Sequence, residues 1–298
     1  MSRIIAIGTE TAPYPSKQEN ILEFMHNAYA DKTASRKLNA LFHFSGIGSR
    51  YSVIPDFTEK QNIHSVLFNG TKPDVEKRMD VYKENAAKLA VKAIQNTFED
   101  LKQPLSGISH LITVSCTGLY APGIDSEIIE ILNLSRDIFR TSVNFLGCNA
   151  AFPALCIANS IADSQKDAFI VVVCVELCTL HFQPKNNIDN LLSNTLFGDG
   201  AAAVVIASDE YAAENQLEGL NVNGFYSYLL SKGKQLMGWN VNPLNFEMIL
   251  NSNLPEFIAE NIKMITKEAF KKFNATPDQI SKWAIHPGGK KILDASKT

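Results

Sequence analysis

Apolar positions along the chain recur with two periods. Between residues 75 and 99, Tyr82, Ala86, Leu89, Ala90, Ala93 and Ile94 return every three or four residues, the spacing of one helix face. Leu111, Ile112, Thr113 and Val114 follow as a short β-branched run and predict a buried strand. The alternation continues with a helix over 126–132, a strand over 139–143, a helix after Cys148 and a strand over 169–175. Residues 1–8 predict the strand that opens the fold. Gly198-Asp199-Gly200 is a turn leading into the apolar strand 201–206, and the polar stretch 208–216 reads as a linker. Strands alternating with helices predict a layered α/β fold with a mostly parallel sheet. A first half over 1–208 and a second over 217–298 follow, the second holding a strand, a long helix near 244–273 and a short strand over 283–285.

Composition narrows the partners. Over 298 residues the net charge is −3 with both signs interspersed, which gives no electrostatic footprint for nucleic acid or a membrane surface. The apolar runs 168–175 and 201–207 are too short to span a bilayer, and the first residues lack the pattern of a secretory signal. A cytoplasmic protein acting on a small molecule or another protein is expected. The five cysteines are an odd number without zinc or disulfide spacing, so no metal site is expected and most should be free thiols. Cys174, inside an apolar run, reads as a small buried hydrophobe.

Two segments suggest chemistry. In Gly147-Cys148-Asn149 a strand gives way through a sharp turn to a helix, and a thiol at a helix start feels unpaired N–H groups and the positive end of the dipole. That predicts a lowered pKa and a nucleophile; a structural buried cysteine is the alternative. Pro153 lacks an N–H and belongs to a first helical turn, so the regular helix is expected to begin after Asn149. The second segment is His286-Pro287-Gly288-Gly289, an imidazole followed by a turn that lets backbone approach a ligand. A cysteine nucleophile needs such a partner to be fully activated.

The order of Cys116-Thr117-Gly118-Leu119-Tyr120-Ala121-Pro122-Gly123, Gly147-Cys148-Asn149-Ala150-Ala151, Leu196-Phe197-Gly198-Asp199-Gly200 and His286-Pro287-Gly288-Gly289 resembles the chalcone and stilbene synthases, the type III polyketide synthases. The resemblance implies a thiolase-like fold of two pseudo-repeated βαβαβ-type halves, a homodimer, and decarboxylative condensation of malonyl-coenzyme A onto a cysteine-bound acyl group. It implies Cys148 as nucleophile and His286 as the histidine of the catalytic pair. Phe197 and Phe246 would be the aromatic residues between tunnel and cavity, and Gly288 and Arg50 would meet coenzyme A. The substrates are coenzyme A thioesters and no separate cofactor is implied. Family members continue beyond the His-Pro-Gly-Gly motif through a segment holding a catalytic asparagine that no residue here matches. The second half is therefore expected to be incomplete at its C-terminus, and a catalytically incomplete subunit is one alternative function. An initiating ketoacyl synthase is another. Among expected basic contacts only Arg50 is evident, so delivery by an acyl carrier protein also enters the expectations.

Overall fold

The computed structural model describes residues 2–58, 65–70 and 72–297, so Met1 and Thr298, at the ends of two expected segments, lie outside the described residues. A six-stranded mixed sheet carries the fold, in the order β5 (Phe139–Asn144), β4 (His110–Ser115), β6 (Phe169–Leu177), β7 (Asp199–Ser208), β1 (Ser2–Thr11) and β8 (Leu220–Val222). The sheet is less parallel than its alternating pattern implied. β4 runs parallel to β5 and β6, whereas β6–β7, β7–β1 and β1–β8 are antiparallel. The chain enters β1 before the first β–helix–β crossover, and β7 returns alongside both neighbours in the opposite sense.

Helices cover both faces of this sheet, which is why β6 is apolar on both sides. On one face α3 (Val75–Phe98) buries Ala86, Ala90, Ala93 and Ile94 against the sheet, with the Asp74 carboxylate capping the N–H of Lys77. Opposite lies α5 (Ala151–Ser164), whose buried Ala154, Ala158 and Ala162 form a stripe at four-residue spacing. Methyl-sized side chains there let the helix approach Ile112, Ile170, Val172 and Ile206 closely. A peripheral layer of α1 (Gln18–Tyr29), α2 (Lys32–Phe44), α6 (Ile188–Leu196) and the hairpin of β2 (Tyr14–Lys17) with β3 (Ser49–Ser52) closes one end. α4 (Ile124–Leu132) lies between β4 and β5 in sequence and fills the crossover.

Three expectations need correction. The stretch read as a linker folds into α7 (Asp209–Glu214), because Ser208 Oγ accepts the Tyr211 N–H at 3.0 Å and the Tyr211 ring stacks on Phe169 at 4.7 Å. The helix expected near 244–273 is two elements: β10 (Phe246–Leu250), paired with β9 (Met237–Val241), and α8 (Leu254–Phe273). Pro255 sits in the first turn of α8, where its ring stops the helix from extending backward. Residues 283–285 form no strand, since among the described residues no strand lies alongside to satisfy their backbone groups. A final short helix, α9 (Lys290–Ala295), follows the His-Pro-Gly-Gly turn.

Candidate active site

β5 ends in an elbow. Phe145 has φ +57° and Gly147 φ +66°, two left-handed residues around Leu146 that reverse the chain before a short 3-10 turn over Gly147–Asn149. Glycine adopts that conformation freely, but an aromatic residue does so at a cost of roughly 1–2 kcal/mol. Phe145 is held there by its N–H to Ser115 O at 3.4 Å and by its ring, 5.5 Å from that of Phe246. Backbone kept in a disfavoured region by its surroundings is typical of sites. Cys148 stands on this elbow as the exposed cysteine of the chain's five.

Its electrostatics differ from the expectation. The Cys148 thiol is pushed up, first because neighbouring protein atoms shield it in part from solvent even though the residue is exposed, and then by the negative charge of Glu176. The helix dipole does not reverse this, because regular α5 begins only at Ala151, as the position of Pro153 implied, and dipole effects fade within one turn. Lowering the thiol pKa therefore requires something that the elbow alone does not provide.

Glu176 is the charge that sequence reading missed. It lies on β6 with its carboxylate buried, accepting the Cys116 N–H at 2.8 Å and the Thr117 hydroxyl at 2.6 Å. Burial raises its pKa to about 7 in spite of those donors. Around it, burial and the same carboxylate push up the thiols of Cys116, Cys174 and Cys178, Cys174 to about 12. The available signal was a single acid inside the apolar run Val171 to Leu177, a residue type almost never buried without a purpose.

Behind the elbow lies a cavity of about 50 Å³ lined by Arg50, Cys178, His181, Phe197, Trp239 and Phe246, among others. His181 was not anticipated. Its Nε2 meets Thr117 O at 2.8 Å and its Nδ1 accepts the Phe246 N–H at 3.0 Å, so these partners assign the Nε2–H tautomer. The ring stacks on Phe246 at 4.6 Å, and burial holds the imidazole neutral with a pKa lowered to about 3. Trp239 Nε1 donates to Cys116 O at 2.7 Å, closing the wall between cavity and elbow.

Arg50 is placed differently from its expected contact with coenzyme A. The side chain is buried, donating from Nε to Gln18 Oε1 at 2.9 Å and from Nη1 to Phe197 O at 2.5 Å. Burial lowers its pKa to about 10, opposed by the neighbouring Asp199. A guanidinium so enclosed fixes the backbone of Phe197 rather than meeting a phosphate in solvent. Sequence reading had no means of distinguishing a surface arginine from a buried one without knowing that Arg50 faces Ser16 across the β2–β3 hairpin.

His286 is exposed, with its carbonyl accepting the Gly288 N–H at 3.0 Å. At Gly289 φ is +128°, and a Cβ there would lie 3.6 Å from Leu196 Cδ1, so the turn seats against the last residue of α6, next to Phe197. Among the described residues no hydrogen bond joins His286 to Cys148. Arg50, Phe197 and Phe246 thus share one cavity, Cys148 adjoins it through Phe145 and Cys178, and His286 with Gly288 approaches from the Leu196 side.

This arrangement, a cysteine elbow above a mixed sheet and beside an aromatic cavity, is that of thiolase-like condensing enzymes. A polyketide synthase of the brown alga Ectocarpus siliculosus superposes on 99% of the chain with a TM-score of 0.92 and 26% identity, over 79% of its own length. The tetrahydroxynaphthalene synthase of Streptomyces coelicolor shares the fold, with a TM-score of 0.86 at 23% identity over 99% of this chain and 80% of its own. The alpha-pyrone synthesis polyketide synthase-like Pks18 of Mycobacterium tuberculosis is 28% identical over 295 residues, 98% of this chain and 74% of that protein. Residues 1–210 match the family described as chalcone and stilbene synthases, N-terminal domain, and the chain belongs to that family. It is therefore an acyltransferase-type enzyme, and membership favours the polyketide synthases over the initiating ketoacyl synthases. Among the described residues no helix is long and apolar enough to cross a membrane.

Proposed function

We propose that the chain performs decarboxylative condensation, with Cys148 as acyl acceptor and malonyl-coenzyme A as extender. The observation that carries this reading is the elbow itself, which presents Cys148 beside the Phe246 and Cys178 wall in a chain of the chalcone and stilbene synthase family. The Cys148 thiolate attacks the thioester carbon of an acyl-coenzyme A, the C–S bond to coenzyme A breaks, and the free thiol leaves with a proton. Loss of carbon dioxide from malonyl-coenzyme A then gives an enolate whose carbon attacks the Cys148 thioester, forming a C–C bond and returning the thiolate. Donors fixed near the enolate oxygen lower that barrier more than uniform binding would. His286, on a turn seated beside Phe197, is assigned as one such donor, and Gly288 as a backbone contact for the thioester substrate. Phe197 and Phe246 shape the passage to the cavity.

A homodimer is part of this proposal. β5 is an edge strand, and Phe139 on it, Leu146 on the elbow and Phe152 in the first turn of α5 are 66%, 53% and 53% exposed. Edge strands flanked by apolar surface are usually covered in the native assembly.

The test is intact-mass analysis of the purified chain with acyl- and malonyl-coenzyme A, alongside product analysis. Acylation at Cys148 and extended products are expected in wild type, and Cys148→Ala should lose both, by on the order of 10⁴-fold or more. Extension surviving in that variant removes Cys148 from the mechanism. His286→Gln should slow malonyl decarboxylation more than acyl loading; an equal loss of both would assign His286 to thiolate formation instead.

A further inference from the structure

Five buried side-chain polar atoms among the described residues have no hydrogen-bond partner, and three of them, Ser16 Oγ, Arg50 Nη2 and Asn245 Oδ1, belong to residues that line the one cavity behind the elbow. All three residues are at least nine-tenths buried, at 6%, 9% and 1% exposure. An unmet buried polar atom costs about 1–3 kcal/mol, so three on residues of one cavity call for a polar partner there. Their remaining groups are already committed. Arg50 spends Nε on Gln18 and Nη1 on Phe197 O, and Asn245 donates from Nδ2 to His181 O at 3.1 Å. That last bond fixes the amide orientation, since a flipped amide would set two oxygens against each other. Ser16 faces Arg50 across the β2–β3 hairpin, so both belong to one rigid ladder.

We propose that this cavity is a subsite for a hydroxyl group at the end of an otherwise apolar acyl chain. The chemistry follows from the three atoms. Arg50 Nη2 needs an acceptor, Asn245 Oδ1 needs a donor, and Ser16 Oγ serves as either. A hydroxyl supplies both functions in one atom. A carboxylate offers no donor to Asn245. A volume of about 50 Å³ admits only a few heavy atoms, and the surrounding Ile21, Met25, Phe57, Phe182 and Phe197 suit a hydrocarbon stem. The inference rests on the proposed acyl chemistry, because Cys148 adjoins this cavity only across Cys178 and Phe246.

The test compares matched acyl-coenzyme A pairs of six to twelve carbons, with and without an ω-hydroxyl, by calorimetric binding to Cys148→Ala, which cannot transfer the chain. At one chain length the hydroxylated partner should bind about tenfold or more tightly, as expected of hydrogen bonds that include a charged donor. Adding Ser16→Ala to Cys148→Ala should bring that ratio close to one, and so should adding Asn245→Leu, with melting curves showing that each double variant is folded. Equal affinities at every length would overturn the subsite and leave ordered water as its occupant, as would an unchanged ratio in folded double variants. Wild-type extension assays separate the two readings. Products formed without discrimination in binding overturn the subsite alone, whereas discrimination without products overturns the condensation reading and retains the subsite.

Discussion

The sheet around β6 and the segment after Leu217 are built on different principles. In β6 seven of nine residues are buried, and Phe169 through Val173 are at most 2% exposed. α8 is nearly as long as α3 yet has no buried residue, and Trp283 and Ile285 are 60% and 42% exposed. The Cys148 elbow therefore grows from a close-packed core, while His286 lies on an exposed turn. The contrast teaches that the two catalytic candidates differ in rigidity. The position of Cys148 is set by the packing of the sheet, and that of His286 by whatever meets its exposed surroundings.

The largest expected effect tests the core side of this contrast. Phe169→Ala should destabilise the chain by about 3–5 kcal/mol in denaturant unfolding, because its ring is enclosed between Phe98 and Tyr211. A loss under about 1 kcal/mol would mean that this core is not the closed unit described here. Next comes His181, neutral and buried with a pKa of about 3 against an ordinary 6.5. Its folded pKa is depressed, so as pH falls from 6.5 toward 3 the unfolded state gains the proton first. Stability should then drop by up to about 1.4 kcal/mol per pH unit from this residue. His181→Gln should flatten that part of the acid-unfolding curve, and an unchanged slope would contradict the neutral assignment.

Glu176 has the opposite linkage and a gentler readout. Its folded pKa of about 7 lies above the ordinary 4.5, so it favours folding below pH 4.5 and that contribution fades as pH rises to 7. Its charge also opposes the Cys148 thiolate. Glu176→Gln should move the pH midpoint of Cys148 alkylation downward, read by peptide mass after iodoacetamide; an upward move would mean that Glu176 assists the thiolate. The smallest effect is expected outside the sheet. Trp283→Ala in the isolated chain should cost less than about 0.5 kcal/mol, as surface substitutions usually do, and a core-sized loss would erase the contrast.

Residues with strong local signals were legible in the sequence. α3, β4, β5, β6 and β7 follow from apolar period and β-branching, and the helix start after Asn149 follows from Pro153 alone. The Cys148 elbow was visible in the Gly147-Cys148 turn at a strand end, and its chemical reading came from the order of the four family motifs. The errors share a cause. Arg50, the parallel sense of the sheet, the strand Phe246–Leu250 and the direction of the Cys148 shift all depend on neighbours distant in the chain.

The sequence by itself determined the alternating strands and helices of the first half, the family motifs and the place of Cys148 on an elbow, because each is encoded in residues within a few positions of one another. Only the tertiary structure decided that burial and then the Glu176 charge push up four thiols, that His181 holds Phe246, and that Ser16, Arg50 and Asn245 line one cavity. Burial and charge act through space, and their strength is set by which groups folding brings together rather than by their spacing along the chain.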